Sequence, residues 1–424
     1  MSVYEKMRAI ADAIREKTNS PNLLSLDDMA LEIRSLQTGG GLATAEEKDV
    51  NFYDYDGTCL YSYTLSEAML LTELPPLPEH DGLTCQGWNW TLADIKSFAE
   101  PLDVGASYIT DNGATRLYLN IPTSAGLTVP LYIQQTVAKG VTIDWGDGSA
   151  TETIAGTGAV TTTHTYASTG KYCLTLLPSA SCTMQLGNGT LNVVGRENDY
   201  SKPTRVVICK AEIGRGVTQI STNAFNYATG LETITIPQGV TRISTRGFQY
   251  CQILKFIVLP SGCTNIDTSA FTTCNRINMI SIPKSLSSFG GSSPCSEMAS
   301  HKRVIMPDTV NYLGATAFSG NRALQKVRLS KNITSIGGNA FDNCWNLKEL
   351  DVPAKVTSIA ALAFRYCYSL GRLRFNSTTP PTVANSNAFT NIPTDCIVEV
   401  PAGTLATYQA ATNYGTIAAQ MVEV

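Results

Sequence analysis

Between Val217 and about Asn376 the apolar positions recur with a period of 23 residues. The pairs Ala224-Phe225, Gly247-Phe248, Ala270-Phe271, Ala317-Phe318, Ala340-Phe341 and Ala363-Phe364 follow one another in steps of 23, 23, 47, 23 and 23. The long step holds two units, one of them degenerate and carrying an insertion near Pro294. Five residues before each Phe stands Ile220, Ile243, Ile266, Leu313, Ile336 or Ile359, and six after it Leu231, Leu254, Ile277, Leu324, Leu347 or Leu370. Pro237, Pro260, Pro283, Pro307 and Pro353 close the units, with Ser330 standing in once. A unit this short cannot bury its apolar face alone, so seven units are expected to stack into a solenoid. Its core would be Ile, Leu and Phe, with a parallel strand at each Leu-x-x-Ile-x-Ile.

The same register explains cysteines. Cys251, Cys274, Cys344 and Cys367 each lie three residues after a repeat Phe, one inward column in which a thiol serves as a small hydrophobe. Metal or disulfide chemistry would call for CxxC pairs or distinct spacings, which the 12 cysteines do not offer. Cys59, Cys85, Cys173 and Cys182 show no pairing logic either, which suits assembly in a reducing compartment. After Pro401, residues 402–421 are Ala-rich, with Leu405, Tyr408, Ala411 and Ile417 spaced along one apolar face. That pattern predicts a helical cap over the open end of the solenoid.

Ahead of the repeats the patterns change. Tyr4, Met7, Ile10, Ala11 and Ile14 recur at helical spacing, a break follows at Asn19-Ser20-Pro21, and Ser25 caps Leu26 to Leu36. Two short helices over 3–36 are expected, followed by the linker Gly39-Gly40-Gly41. Over 50–100, Asp56-Gly57 between apolar runs predicts a hairpin turn, and Asp54 and Asp56 read as turn residues because no partner residue accompanies them. Over 105–180, Asp147-Gly148 supplies another tight turn, and His164 is expected to bond locally.

Four stretches resemble known families. The 23-residue register resembles the bacterial BspA-like leucine-rich repeat, which implies a solenoid over 217–400. Ile10 to Thr18, Ile-Ala-Asp-Ala-Ile-Arg-Glu-Lys-Thr, is similar to an N-terminal module of phage and prophage tail-associated proteins; the alternative is a plain helical hairpin. Phe52 to Thr58 together with Gly82 to Trp88 resembles the small β-grasp-like repeats of bacterial surface proteins. Trp145-Gly146-Asp147-Gly148 followed by His164-Thr165-Tyr166 resembles a PKD domain, an immunoglobulin-like sandwich that serves as a spacer. The resulting division is 1–41 helical attachment module and linker, 42–104 β-grasp-like module, 105–180 PKD-like sandwich, 181–216 connector and solenoid N-terminal cap, 217–400 solenoid, and 401–424 helical C-terminal cap. The fold class is multidomain and mainly β.

Charge divides along the same lines. Residues 1–216 hold 15 Lys+Arg against 25 Asp+Glu, residues 217–378 hold 16 against 7, and residues 379–424 hold 0 against 3. A basic solenoid suggests an anionic partner. The acidic front half and the lack of any dense Lys/Arg run argue against nucleic acid. No apolar run reaches the roughly 18–20 residues of a membrane span. Met1 to Lys17 is charged throughout, so a secretory leader is not expected.

The candidate sites follow from which repeat positions face outward. On the strand face the two outward columns run from apolar to charged: Thr233, Phe256, Met279, Arg303, Lys326, Glu349 and Arg372 in one, and Thr235, Val258, Ser281, Ile305, Arg328, Asp351 and Arg374 in the other. Phe256, Met279, Ile305, Lys326, Arg328, Arg372 and Arg374 are therefore candidate binding residues. The competing reading of this face is a solvated sheet with cross-strand ion pairs. A second column, four residues after the Phe, holds Arg322, Trp345 and Tyr368, whose rings and guanidinium suit stacking on sugars or packing between adjacent turns. His80, His164 and His301 have no Ser, Cys or Asp set beside them in a catalytic pattern, so no enzyme is expected, and neither a cofactor nor a metal.

The expected function is a non-enzymatic phage or prophage tail-associated receptor-binding protein that meets a host cell-surface glycan or protein through its solenoid. Tail or baseplate proteins would bind its N-terminal module, and homo-oligomers are common among such proteins. The alternatives are a bacterial cell-surface BspA-like adhesin, a capsid decoration fibre and, from a different class, a tail-borne glycan hydrolase.

Overall fold

The computed structural model describes residues 48–124, 127–194 and 207–424, so the expected helices over 3–36 lie outside the described residues. The first module is a four-stranded sheet of β1 (Val50–Tyr53), β2 (Cys59–Tyr63), β3 (Leu83–Trp88) and β4 (Leu102–Thr110). Its order is β2-β1-β4-β3, with β1 and β4 parallel at the centre. Two short helices, α1 (Leu65–Leu70) and α2 (Leu92–Phe98), pack on it. Thr64 and Glu67 form a capping box at α1, which satisfies amide donors that the first helical turn leaves free. Phe52, Trp88, Trp90, Ile95 and Val104 fill the core. Because β4 runs to Thr110 and bonds to both β1 and β3, the module extends past the boundary expected at 104. Asp56-Gly57 makes the β1–β2 turn, with the Asp56 carboxylate accepting from the Thr58 amide at 2.8 Å.

The second module is a sandwich of β5 (Thr115–Ile121), β6 (Thr128–Gln135), β7 (Val141–Asp144), β8 (Glu152–Thr153), β9 (Gly158–Thr165), β10 (Gly170–Pro178) and β11 (Met184–Leu186). One sheet carries β5, β10, β7 and β8, the other β11, β6 and β9. Trp145 is buried between them; the Tyr166 hydroxyl donates to its carbonyl, and the His164 ring stacks on its indole at 4.8 Å. The stretch expected to connect sandwich and solenoid supplies β12 (Val207–Glu212). β12 is antiparallel to β5 on one edge and parallel to the solenoid strand Thr233–Thr235 on the other. One apolar core consequently runs from Leu117 through the repeats without interruption.

Each repeat contributes two short parallel strands, at its Ile position and at its Leu-x-x-Ile-x-Ile stretch. The eight strands at the Ile positions form one sheet from Gln219–Ile220 to Thr382–Val383. The repeat phenylalanines stack, with ring centroids 5.4 to 5.8 Å apart along Phe225–Phe248 and Phe341–Phe364–Phe389. The Phe is flanked by residues of positive φ two positions away on each side, as at Asn223 and Tyr227, Arg246 and Tyr250, or Asn339 and Asn343. Such a conformation costs an L-residue about 1 kcal/mol or more. It is held by amides that donate to the carbonyls of the next unit, as Asn223 to Thr245, Phe225 to Gly247 and Tyr227 to Gln249. The cysteine column is buried, and each thiol donates to a Phe carbonyl 26 residues earlier: Cys251 to Phe225, Cys274 to Phe248, Cys344 to Phe318 and Cys367 to Phe341. Asn321 takes the same position once and donates to Cys295.

The stack does not stop at the seventh unit. Ala388-Phe389 begins an eighth, 25 residues on, and Phe389 stacks on Phe364. The expected long helical cap is corrected: the helix covers only Leu405–Ala410, and Asn413 adopts φ 70° soon after it. The end is covered instead by Tyr408 and Tyr414, packed on Phe375 and Phe389, and by a final strand, Met421–Glu423, parallel to Ile397–Val400.

Candidate recognition surface

The first module docks on the apolar half of the strand face. The Tyr53 ring lies 5.4 Å from that of Phe256. Asn89 donates to the Leu259 carbonyl at 2.9 Å and the Trp90 indole to the Ile282 carbonyl at 2.7 Å, while Ser281 donates to the Asp103 carbonyl at 2.8 Å. Arg303 donates to Asp103 and to the Asp49 carbonyl, and burial nonetheless pushes the Asp103 carboxyl above its ordinary range. Gly57 and Gly105 permit the approach: a Cβ on Gly57 would stand 2.8 Å from that of Phe256, and one on Gly105 2.6 Å from both Val258 methyl groups. The exposure expected of the apolar columns therefore does not hold. Phe256, Val258 and Ile305 are 2%, 4% and 8% exposed, and Ile305 belongs to the module's own core; Met279 is half-buried beside them.

The charged half meets the module only at Arg328 and Lys331, which reach Glu100, and its other charges pair among themselves. Arg328 makes a two-pronged bond to Asp308 at 2.6 and 3.0 Å and lies over the Phe98 ring at 4.4 Å. Arg372 reaches Glu349, Asp351 and Glu399 at 3.0, 2.8 and 3.4 Å, and Arg374 shares Glu399. Lys326 stands 3.9 Å from Glu349. The Arg372 and Arg374 contacts are cross-strand ion pairs, and the Arg328–Asp308 contact joins a strand to a loop. A concavity of about 620 Å³ lies where Glu100 and Pro101 of the module meet the strands of Lys326 and Glu349.

The column four residues after the Phe forms a ridge away from these strands. Earlier units place Thr229, Gln252, Asn275 and Ala299 there; the later ones place Arg322, Trp345 and Tyr368. Trp345 is 37% and Tyr368 52% exposed. The Arg322 guanidinium sits 4.1 Å from the Trp345 ring centroid, and the Trp345 indole donates to Asn343 at 3.2 Å. Tyr366 and Tyr368 have centroids 5.7 Å apart, and Arg365 lies over Tyr366 while bonded to both Asp342 oxygens at 2.8 and 2.7 Å. Adjacent-turn packing and an outward aromatic surface coexist here.

Two histidines have aspartate partners that their sequence positions did not suggest. His80 pairs with the buried Asp54 at 2.8 Å, and His164 with Asp147 at 2.7 Å. Hydrogen bonds from Ser149 and then His164 hold the Asp147 carboxyl down to about 2. Among the described residues no hydroxyl or thiol is bonded to either ring. His301 takes a Leu position of the degenerate repeat and is buried with both ring nitrogens unpartnered. Among the described residues no group of three His, Cys, Asp or Glu could hold a metal ion, and no helix is long and apolar enough to cross a membrane.

Residues 207–299 and 293–404 match the BspA type leucine-rich repeat region in six copies. No curated protein sequence matches the chain. Among solved structures, a leucine rich cell surface protein of Faecalibacterium prausnitzii is 25% identical, with a TM-score of 0.30 over 47% of this chain and 62% of that one. The T. pallidum leucine rich repeat protein is 27% identical, with a TM-score of 0.37 over 45% of this chain and 82% of that one. The chain thus spans less than two thirds of the first of these. The matched family region, just under half of the chain, coincides with the stacked units of the structure: the solenoid is a BspA-type leucine-rich repeat region.

Proposed function

We propose that this is a non-enzymatic recognition protein that attaches to a cell surface through the ridge of Arg322, Trp345, Tyr366 and Tyr368. The observation that carries this reading is the exposure of Trp345 and Tyr368 on a column that is otherwise small or polar. Large aromatic side chains held outward beside Arg are the usual anchors of binding surfaces. The carboxylates that face the concavity support a binding role over hydrolysis, because Glu349 and Asp351 are paired with Arg372 and Glu100 with Lys331 rather than free to act as an acid and a base.

The finer reading is a phage or prophage tail-associated receptor-binding protein, supported by the similarity of Ile10 to Thr18 to tail-associated modules. The first module and the sandwich then serve as the β-grasp-like and PKD-like spacers that their motifs resemble. The parallel pair at the centre of the first sheet and the Trp145, His164 and Tyr166 cluster support those assignments. A bacterial surface adhesin is the second reading, favoured by the BspA-type repeats themselves.

The test is retention of labelled full-length protein on intact cells of candidate hosts, together with probing of purified phage particles by antibody. Retention on one host with signal on the particle is the expected result. Retention without any particle signal would shift the assignment to the bacterial surface, and failure to bind any candidate host would remove the recognition role.

A further inference from the structure

The geometry points to an uncharged sugar unit as the ligand of the ridge, held by stacking on Trp345, Tyr366 and Tyr368; this rests on the recognition role proposed above. Of the two cations beside the rings, Arg365 is paired with a carboxylate, while Arg322 stacks on an indole and has no carboxylate partner among the described residues. The Arg322 guanidinium lies over the Trp345 indole at 4.1 Å, and both Asp342 oxygens take Arg365. On the neighbouring strand face, Arg372 and Arg374 are held by Glu349, Asp351 and Glu399. An anionic polymer would have to displace these carboxylates and would meet Arg322 alone without one, so charge complementarity to an anion, which the basic solenoid suggested, is weak where the rings stand.

What the ridge does present is ring faces and hydrogen-bonding groups. Trp345 and Tyr368 have centroids 6.2 Å apart with planes inclined at 58°, so the two rings form an angled pair rather than a flat wall. Trp345 is pinned by Asn343 and Arg322, and Tyr366 by its fixed backbone at φ 60° and by Arg365, so little ring freedom remains to be lost on binding. The Arg365 guanidinium and the Asn343 and Asn346 amides lie beside the rings as partners for hydroxyl groups, while Asp342 is buried behind Arg365. Apolar C–H faces on rings and hydroxyls on paired polar groups are the two demands of a neutral pyranose.

The molecule carries its own reporter. Of its four tryptophans, Trp88, Trp90 and Trp145 are buried and Trp345 is exposed, so a glycan that seats on the ridge should change the emission of Trp345. Full-length protein would be titrated with neutral hexose and N-acetylhexosamine oligosaccharides and with uronic-acid oligosaccharides, at low and at high salt. The proposal expects a saturable emission change with a neutral oligosaccharide, little affected by salt. It also expects loss of about tenfold or more in affinity, roughly 1.4 kcal/mol, in both Trp345→Ala and Tyr368→Ala. Trp345→Phe, which keeps a ring, should retain most of the cell binding. Saturation only by the acidic sugars with steep salt dependence would overturn it, and so would no response to any of the sugars. Equal retention of wild-type and both alanine variants on host cells would overturn the stacking site while leaving the recognition role standing. No retention of any of them would instead remove the recognition role.

Discussion

Phe289 and Cys295 exchange sizes within one repeat. Cys295 stands where the other units have their stacking Phe, and Phe289 stands where they have Ile or Leu. From there the Phe289 ring reaches to 5.4 Å from that of Phe318, so the column of rings is continued by a side chain rooted in the neighbouring column. The two positions should therefore be coupled. Phe289→Ala is expected to cost about 3–5 kcal/mol by opening a cavity. Cys295→Phe alone should cost about 1–3 kcal/mol by overpacking. The double variant Phe289→Ile, Cys295→Phe restores the pattern of the other units and should recover most of the loss. Denaturant midpoints of the single and double variants measure the coupling, and simple additivity would refute it.

His301 should make the protein sensitive to mild acid. Burial lowers its pKa from an ordinary 6.5 to about 4. Between those values the unfolded chain binds a proton that the folded chain rejects, so this contribution is complete above pH 6.5 and is lost as pH falls towards 4. The full span is on the order of 3 kcal/mol. His301→Leu, which supplies the residue that the register calls for, should flatten the stability profile between pH 7 and pH 5. Unchanged slopes in paired denaturation curves would contradict this.

Docking of the first module depends on Gly105. A Cβ there meets Val258 and Ser281 at 2.6 to 2.9 Å. Gly105→Ala is expected to loosen the module from the solenoid without unfolding either. Hydrogen exchange should then rise at Phe256–Val258 and at the Ser281 amide, while the amides of Glu349–Val352 keep their protection. Equal protection in both proteins would show that the interface absorbs the methyl group.

Thiol reactivity should separate the cysteines by column. Cys59 and Cys85 are exposed, whereas Cys251, Cys274, Cys344 and Cys367 are fully buried and burial raises their pKa, to about 12 at Cys274. Mass spectrometry after brief alkylation of the native protein should find label on Cys59 and Cys85, and on the column only after denaturant is added. Early label on Cys251 or Cys344 would mean that the stack opens locally.

The repeats were legible because their signal is written several times: Ile220, Phe225 and Leu231 have equivalents in nearly every later unit. What departed from that register was not. Phe389 escaped because its step is 25 residues, and the Phe289–Cys295 exchange because it conserves volume rather than residue type. The positive-φ pairs leave no mark in composition, since Asn223, Arg246, Ser269, Thr316 and Leu362 share only a place in the ladder of inter-unit hydrogen bonds. On the strand face, the outward direction of Phe256 and Ile305 is a local property that alternation reveals. Their burial depends on the first module, whose Tyr53 and Gly57 meet Phe256 and whose core takes in Ile305, and alternation carries no information about such distant partners. A single column shows the ridge of Trp345 and Tyr368, but no pattern of residues shows that Arg365 is committed to Asp342 while Arg322 lies on Trp345.

The position of β12 decides how the protein would bear a pull. Bonded along both edges, to β5 of the sandwich and to the strand Thr233–Thr235, it joins the two as a splice rather than a tether. Tension between the sandwich and the solenoid would load both of its ladders of bonds. It would also be shared by Arg116, which grips Gly82 of the first module and Glu212 of β12 at once. Such a joint would yield by cooperative rupture instead of slack extension, so the sandwich and the solenoid would part together or not at all.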